Sequence, residues 1–324
     1  MATSRRRRGG STCTGAPCSA SWASTPPAST DARALITAQL LLNALALGMA
    51  YALVALGFVL ALNAAGAVNF AHGDLVVLGG AVAVLVGTWT GLPGILLLPL
   101  VALALGVAGV IAARVALLPL VARPVEATFV ATIALAAIIE QSLNLATGGA
   151  PSTAPPLIGS GTLEVSGLVL GRQPSAIVVV GGVLVAAVWL LLERTQTGRR
   201  MRAVSADRHM ARAVGIPVGR YVTLSLALAG ALAGIAGLLL GHQFLVVPTQ
   251  GAGHMLKAYI AVALGGWGSV PGALLGALGI GAFETFVSAG LGDAWASAAL
   301  YLGVLLLLAV RPQGLFGEPA GRRA

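Results

Sequence analysis

Charge is what this chain most lacks. Only 9% of its 324 residues are Asp, Glu, Lys or Arg, while 57% are hydrophobic; an ordinary soluble domain carries about 25% charged residues. That leaves too little polar surface to cover a water-soluble globule. Acids are the scarcer sign, 10 against 19 basic residues, for a formal net charge of +9. Cysteine is nearly absent. Cys13 and Cys18, both near the N-terminus, are the two the chain has. A C-x4-C pair without partner ligands supports neither a disulfide framework nor a metal site. No Cys falls in an apolar run and no Ser/His pair has supporting context, which argues against an intramembrane hydrolase. The Gly-x4-Gly-Lys-Ser/Thr loop that cradles nucleotide phosphates is also missing. The chain is therefore read as a non-enzyme, with no catalytic residues, no metal site and no cofactor of its own.

What is present is apolar sequence. Apolar segments fall at about 35–62, 74–90, 94–118, 127–146, 175–192, 222–245, 255–289 and 294–310. Windows of about 20 apolar residues are the pattern of membrane-spanning helices. A transmembrane β-barrel would alternate apolar and polar residues, and Gly94–Leu118 and Ile177–Leu192 do not. The fold class is all-α: a polytopic helical membrane bundle of about 8–9 segments with broken helices. The first segment would be about 42 Å long as a straight helix, beyond the roughly 30 Å hydrocarbon core, so it must tilt, break or begin outside the bilayer. The seventh carries Gly265-Gly-Trp-Gly-Ser-Val-Pro-Gly272 in its middle. Gly265, Gly266, Gly268, Pro271 and Gly272 cannot sit in one regular helix. Two helical pieces joined by a tight, buried break are expected, since irregular backbone at membrane depth survives only when buried in protein or lining a cavity. Small residues four apart, such as Gly230 with Gly234 and Gly237 with Gly241, predict close helix packing.

The connections carry the orientation. Residues 1–33, with the run Arg5–Arg8, are read as a disordered tail. Residues 148–173 hold Pro and Gly and almost no charge, which argues for the non-cytoplasmic side. Residues 193–220 carry seven Arg against Glu193 and Asp207, which places them in the cytoplasm. The net positive charge is read in the same way, as residues flanking spans, and not as a nucleic-acid footprint. Counting spans from 193–220 leaves the first tail outside, unless one of the first two segments is not a full crossing. Met201, Val204, Met210, Ala211 and Val214 lie at near-helical spacing, and Gly215 with Pro217 ends the pattern. An amphipathic helix there must cover its apolar side with either the lipid surface or a cytoplasmic protein.

Polar groups among the spans are few. Asn69-Phe-Ala-His-Gly-Asp74 joins the first two apolar runs. Asn69, His72 and Asp74 either line a pathway or cap a helix, and Asp74 stands where a carboxylate suits a helix start. Glu140 and Glu284 lie deeper and should face protein or water, bonding across helices. Glu126 is placed at the interface near Arg123. His242, His254 and Lys257 are read as lying toward the outer side, facing an external protein.

Six stretches together resemble one family. They are Gly48-Met-Ala-Tyr-Ala-Leu-Val-Ala-Leu-Gly57, Asn69–Asp74, Arg123-Pro-Val125, Thr197–Ala203 with Asp207 and Gly215-Ile216, Lys257-Ala-Tyr with Leu264–Ala273, and Arg311-Pro-Gln-Gly-Leu-Phe-Gly317. Their order and spacing resemble the permease subunits of branched-chain amino acid ABC importers, of the LivH type. Asp74 stands where that family more often has Glu. The resemblance implies a permease domain over 34–317, with a cytoplasmic coupling loop at 193–220 and a C-terminal tail at 318–324. It implies a bacterial inner-membrane protein working with two cytoplasmic ABC ATPases, which use the ATP, a second and non-identical permease subunit, an extracytoplasmic binding protein and the lipid bilayer. Gly198, Arg199, Arg200, Met201, Arg202, Ala203, Asp207 and Gly215 would form the ATPase-coupling element, the arginines pairing with acids and Met201 and Ala203 filling apolar space in a groove. Leucine, isoleucine and valine are the implied substrates. Permeases for urea and short amides share much of the pattern, and an ion-coupled secondary transporter is the competing class.

Overall fold

The computed structural model describes residues 30–120, 125–159, 161–165 and 168–310. The N-terminal tail with Arg5–Arg8, Cys13 and Cys18, the residues Arg123 and Pro124, the 311–317 stretch and the C-terminal tail lie outside the described residues.

Apolar sequence becomes helix because a helix satisfies its own backbone, which lipid cannot do. Eleven helices are described: α1 (Thr30–Ala65), α2 (His72–Thr90), α3 (Gly94–Ala112), α4 (Val125–Thr147), α5 (Arg172–Arg194), α6 (Gln196–Ala206), α7 (Arg208–Ala213), α8 (Val218–Gln243), α9 (Gly251–Gly265), α10 (Val270–Leu291) and α11 (Asp293–Val310). Seven are long and apolar enough to cross a membrane, and α11 is a further apolar helix of 18 residues. The expected 8–9 segments are thus met by seven long spans, α11 and the half-length α9, in a multi-pass membrane protein.

The centre is α1, unbroken over its 36 residues. Residues 50–61 are all buried; a helix apolar on every side belongs in a core. It packs on α5, α8, α9 and α10. It runs antiparallel to α10, with Gly48 against Leu278 and Asn63 against Gly268. The α3 helix continues through a π-helical turn, Ala113–Leu117, and a 3-10 turn, Leu118–Leu120.

The expected small-residue seams are present. On α8, Gly230 lies against Leu105 and Gly109 of α3, and Gly237 lies against the Val76 carbonyl and Gly80 of α2. A side chain at Gly237 would overlap backbone, so glycine sets how closely α2 approaches α8.

The 148–171 connection caps one end of the bundle. Ala154 N–H donates to the Gly241 carbonyl (3.0 Å), Gly94 N–H to the Pro156 carbonyl (2.8 Å), and Ser152 pairs with Val246. It also holds the one described sheet, an antiparallel hairpin of β1 (Thr162–Val165) and β2 (Leu168–Gly171). The Arg-rich helices α6 and α7 lie at the opposite end, where Arg208 donates to the last turn of α1 at Ala64 (2.6 Å).

Candidate functional site

Polar chemistry gathers in two places, one inside the bundle and one at its Arg-rich end. Inside, the start of α2 is built by Asn69. Its Oδ1 accepts the Ala71 N–H (3.2 Å) and its carbonyl accepts the His72 N–H (3.2 Å). His72 is fully buried, with Nε2 3.0 Å from the Val54 carbonyl in the middle of α1. The ring fits because Gly57 has no side chain: a Cβ there would stand 2.9 Å from His72 Cε1. Val54 is eleven residues before the end of α1, about 16 Å along the axis. Residues 66–71 therefore lead back into the bundle, and α2 begins within it. Asp74 is buried in the first turn of α2 against Gly251, the first residue of α9. In this arrangement Asn69 bonds the turn before α2, and His72 packs against α1.

The larger polar feature joins three helices. Lys257 of α9, the only lysine in the chain, donates to Glu284 Oε1 of α10 (2.6 Å) and to the Tyr51 hydroxyl of α1 (2.7 Å). Tyr51 donates to Glu284 Oε2 (3.0 Å), closing a ring of three partners. The Lys257 and Glu284 side chains are 15% and 11% exposed. The sequence reading placed Lys257 toward an external protein; it points inward instead, because burying Glu284 requires a cation. Glu284 does bond across helices, as expected. Tyr51 was missed as a partner. One signal was available: a lone cation and a sparse acid of opposite sign in neighbouring spans. His242, also assigned to an external contact, lies 3.0 Å through Nδ1 from the Ala154 carbonyl and pins the capping connection. His254 is half-buried beside Val76, Gly237 and Phe244. Glu126 is exposed.

The break in the seventh segment comes as two helices, α9 and α10, folded into an antiparallel hairpin. Gly266 and Gly268 take φ of +90° and +78°, conformations that glycine tolerates. The Ser269 hydroxyl caps α10 through the Gly272 N–H (3.2 Å), with Pro271 in the first turn. Gly265 and Gly272 lie backbone to backbone. The Asn63 side chain donates to the Gly268 carbonyl (3.0 Å), fixing the break to the end of α1. The break was expected at membrane depth. It lies at the Arg-rich end, since α9 starts within the bundle beside Asp74 and is only 15 residues long.

At that end, residues 196–213 form two short helices where one was expected. Gly198 sits on the Leu191 and Leu192 backbone, allowing a sharp turn out of α5, and Thr195 caps α6 through the Gly198 N–H (3.0 Å). Asp207 ends α6 and caps α7, accepting from His209 (2.7 Å) and Met210 (3.0 Å). Bonds from Met210 and His209 hold its carboxyl below the usual aspartate range. Burial, and then the charge of Arg212, lower the Arg208 guanidinium from its ordinary value. Gly215 then turns the chain at φ +80°.

The apolar stripe divides. Met201, Val204 and Ala211 are buried against the chain's own bundle, whereas Met210 and Val214 are exposed. Met201 therefore cannot also fill a partner's groove, as the resemblance implied. Arg200 donates to the Tyr221 hydroxyl (2.9 Å) and Arg202 pairs with Glu193. Arg199, Ala203, Met210, Arg212 and Val214 make up the outward face. A cavity of about 420 Å³ joins α6 to the break, with Met201, Arg202 and Ser205 on one wall and Trp267, Gly268 and Pro271 on another.

Comparison with known proteins bears on this architecture. A family model described as branched-chain amino acid transport system / permease component matches residues 40–310. The chain is 30% identical over 295 residues to the high-affinity branched-chain amino acid transport system permease protein BraD of Pseudomonas aeruginosa, covering 87% of this chain and 96% of that one. It is 28% identical over 294 residues to LivH, the protein of the same description in Escherichia coli K12, with the same coverage of 87% and 96%. It is also 30% identical over 244 residues to the ribose import permease protein RbsC of Escherichia coli K12, covering 71% of this chain and 72% of that one. No solved structure matches the chain.

Proposed function

Because the chain belongs to the branched-chain amino acid transport system permease family, we propose that it is one membrane-spanning subunit of an ATP-binding cassette importer in the bacterial inner membrane. It passes leucine, isoleucine and valine, handed over by an extracytoplasmic binding protein. A second, non-identical permease subunit completes the membrane core. Two cytoplasmic ATPases supply the energy, so the chain needs no cofactor. The likeness to a ribose permease covers less of the chain; the amino-acid assignment rests on the wider coverage by BraD and LivH.

The observation that carries the mechanism is the α6–α7 unit, held to the bundle by buried Met201, Val204 and Ala211 while Arg199, Met210, Arg212 and Val214 face outward. A helix pair with one face docked and a basic, partly apolar face free suits a groove on a separate motor protein. The shared cavity links that unit to the α9–α10 hairpin directly, and the Arg208–Ala64 bond ties it to the end of α1, which the Asn63–Gly268 bond fixes to the same hairpin. A rigid shift of α6–α7 is thereby transmitted to the helices that carry Lys257 and Glu284, as alternating access requires.

The test is uptake in cells making the full transporter, with leucine, ribose and urea compared side by side. Arg199→Glu combined with Arg212→Glu should abolish ATP-driven uptake while the subunit still inserts. Undiminished uptake in that variant refutes the coupling assignment. Ribose or urea transported in place of leucine refutes the substrate assignment alone.

A further inference from the structure

We propose that the groove between α3 and α8 at the Arg-rich end binds the phosphate of an anionic phospholipid. Arg114, in the π-helical turn, and Arg220, in the first turn of α8, line one cavity of about 560 Å³ together with Val110, Leu118, Thr223 and Leu224. The described ion pairs are Arg202–Glu193 and Lys257–Glu284. Among the described residues neither the Arg114 nor the Arg220 guanidinium has a hydrogen-bond or ion-pair partner. Two guanidinium groups on one groove present planar forks that match phosphate oxygens. A π-helical turn is an irregularity that recurs at functional sites.

The second observation is where the groove leads. Leu103, Val107 and Ile111 of α3 and Val115 of the π-helical turn are each more than half exposed. Residues four apart share a helix face, so they form an apolar track that runs along α3 to Arg114. Leu224 on α8 is exposed beside it. A track for hydrocarbon ending at two unpaired cations suits a lipid, with acyl chain on the stripe and phosphate at the arginines. Basic pockets between helices on the cytoplasmic side are where anionic headgroups bind. Inorganic phosphate would use the arginines and leave the track empty.

The test uses the purified full-length chain, stripped of lipid in detergent, with thermal unfolding followed during titration with phosphatidylglycerol, phosphatidylcholine or inorganic phosphate. Phosphatidylglycerol should raise the unfolding midpoint, and the other two should not. Apparent affinity should fall about fivefold for Arg114→Gln or Arg220→Gln and about thirtyfold for both together, while Arg172→Gln, at the opposite end of the bundle, leaves it unchanged. Should the double variant fail to fold, the two single variants carry the same test. Unchanged affinity in both overturns the proposal. So does stabilisation by inorganic phosphate equal to that by phosphatidylglycerol, which makes the site one for a free anion. Crosslinking of the Leu224→Cys variant to a second membrane subunit in intact membranes also overturns it, by giving the groove to a protein.

Discussion

Removing Lys257 leaves the Glu284 carboxylate inside the bundle with only the Tyr51 hydroxyl as partner. Breaking one half of a buried ion pair costs about 3–5 kcal/mol, chiefly because the remaining charge is uncompensated. Insertion scales agree on the order, about 2.5–3.5 kcal/mol for a charge at a helix centre. With both side chains under one-fifth exposed, solvent relieves little of this. Lys257→Met and Glu284→Gln should therefore each lower stability by about 3–5 kcal/mol. Lys257→Met with Glu284→Gln removes both charges and should cost much less than the sum, because contacting residues couple. Tyr51→Phe removes neutral-to-charged hydrogen bonds and should cost about 1.5–3 kcal/mol. The assay is SDS-driven unfolding in mixed micelles, read by tryptophan fluorescence, for the wild type and all four variants. The reasoning fails if both single charge variants unfold with the wild type and the double variant is merely additive.

The seams offer a steric test. Gly57→Ala places a methyl group against His72 and the Ala229 carbonyl and should destabilise by about 1–3 kcal/mol, whereas Gly279→Ala, which meets open space, should stay within about 0.5 kcal/mol of wild type; equal effects refute the packing role. At the Arg-rich end, Arg202→Gln should disturb only a surface pair with Glu193, worth about 0–1 kcal/mol, and leave uptake nearly intact, unlike the Arg199 and Arg212 reversal; equal loss of uptake argues against the division of faces. Asp207 has a depressed folded-state pKa, so its capping contribution is present above the unfolded value of about 3.9 and is lost as pH falls through the lower folded one. A carboxyl-carbon NMR titration should find Asp207 ionising below about 3.9, and a value at or above that contradicts the cap.

Several elements could be read from the sequence because one-dimensional patterns carry their physics. The spans follow from runs of apolar residues, and the two pieces α9 and α10 from four glycines and a proline within Gly265–Gly272. The Arg-rich end follows from charge counting. What failed to show was any pairing between distant residues. Lys257 looked like a surface cation since nothing local marks Tyr51 and Glu284, 206 and 27 residues away, as its partners. Met201 and Met210 are alike in sequence, yet one is buried and the other exposed, because Asp207 divides their helix in two.

From the sequence alone came the class of molecule: a membrane bundle that is not an enzyme, with its arginines gathered in one connection and the family's motifs in order. These depend on composition, periodicity and local backbone preference, all of which act over a few turns of chain. Tertiary packing alone decided that α2 and α9 begin inside the bundle, that the break sits beside α6, and that the single lysine closes a ring with Tyr51 and Glu284. Such features depend on which helices approach closely, and that is set by glycine seams and long-range polar satisfaction that no local pattern encodes.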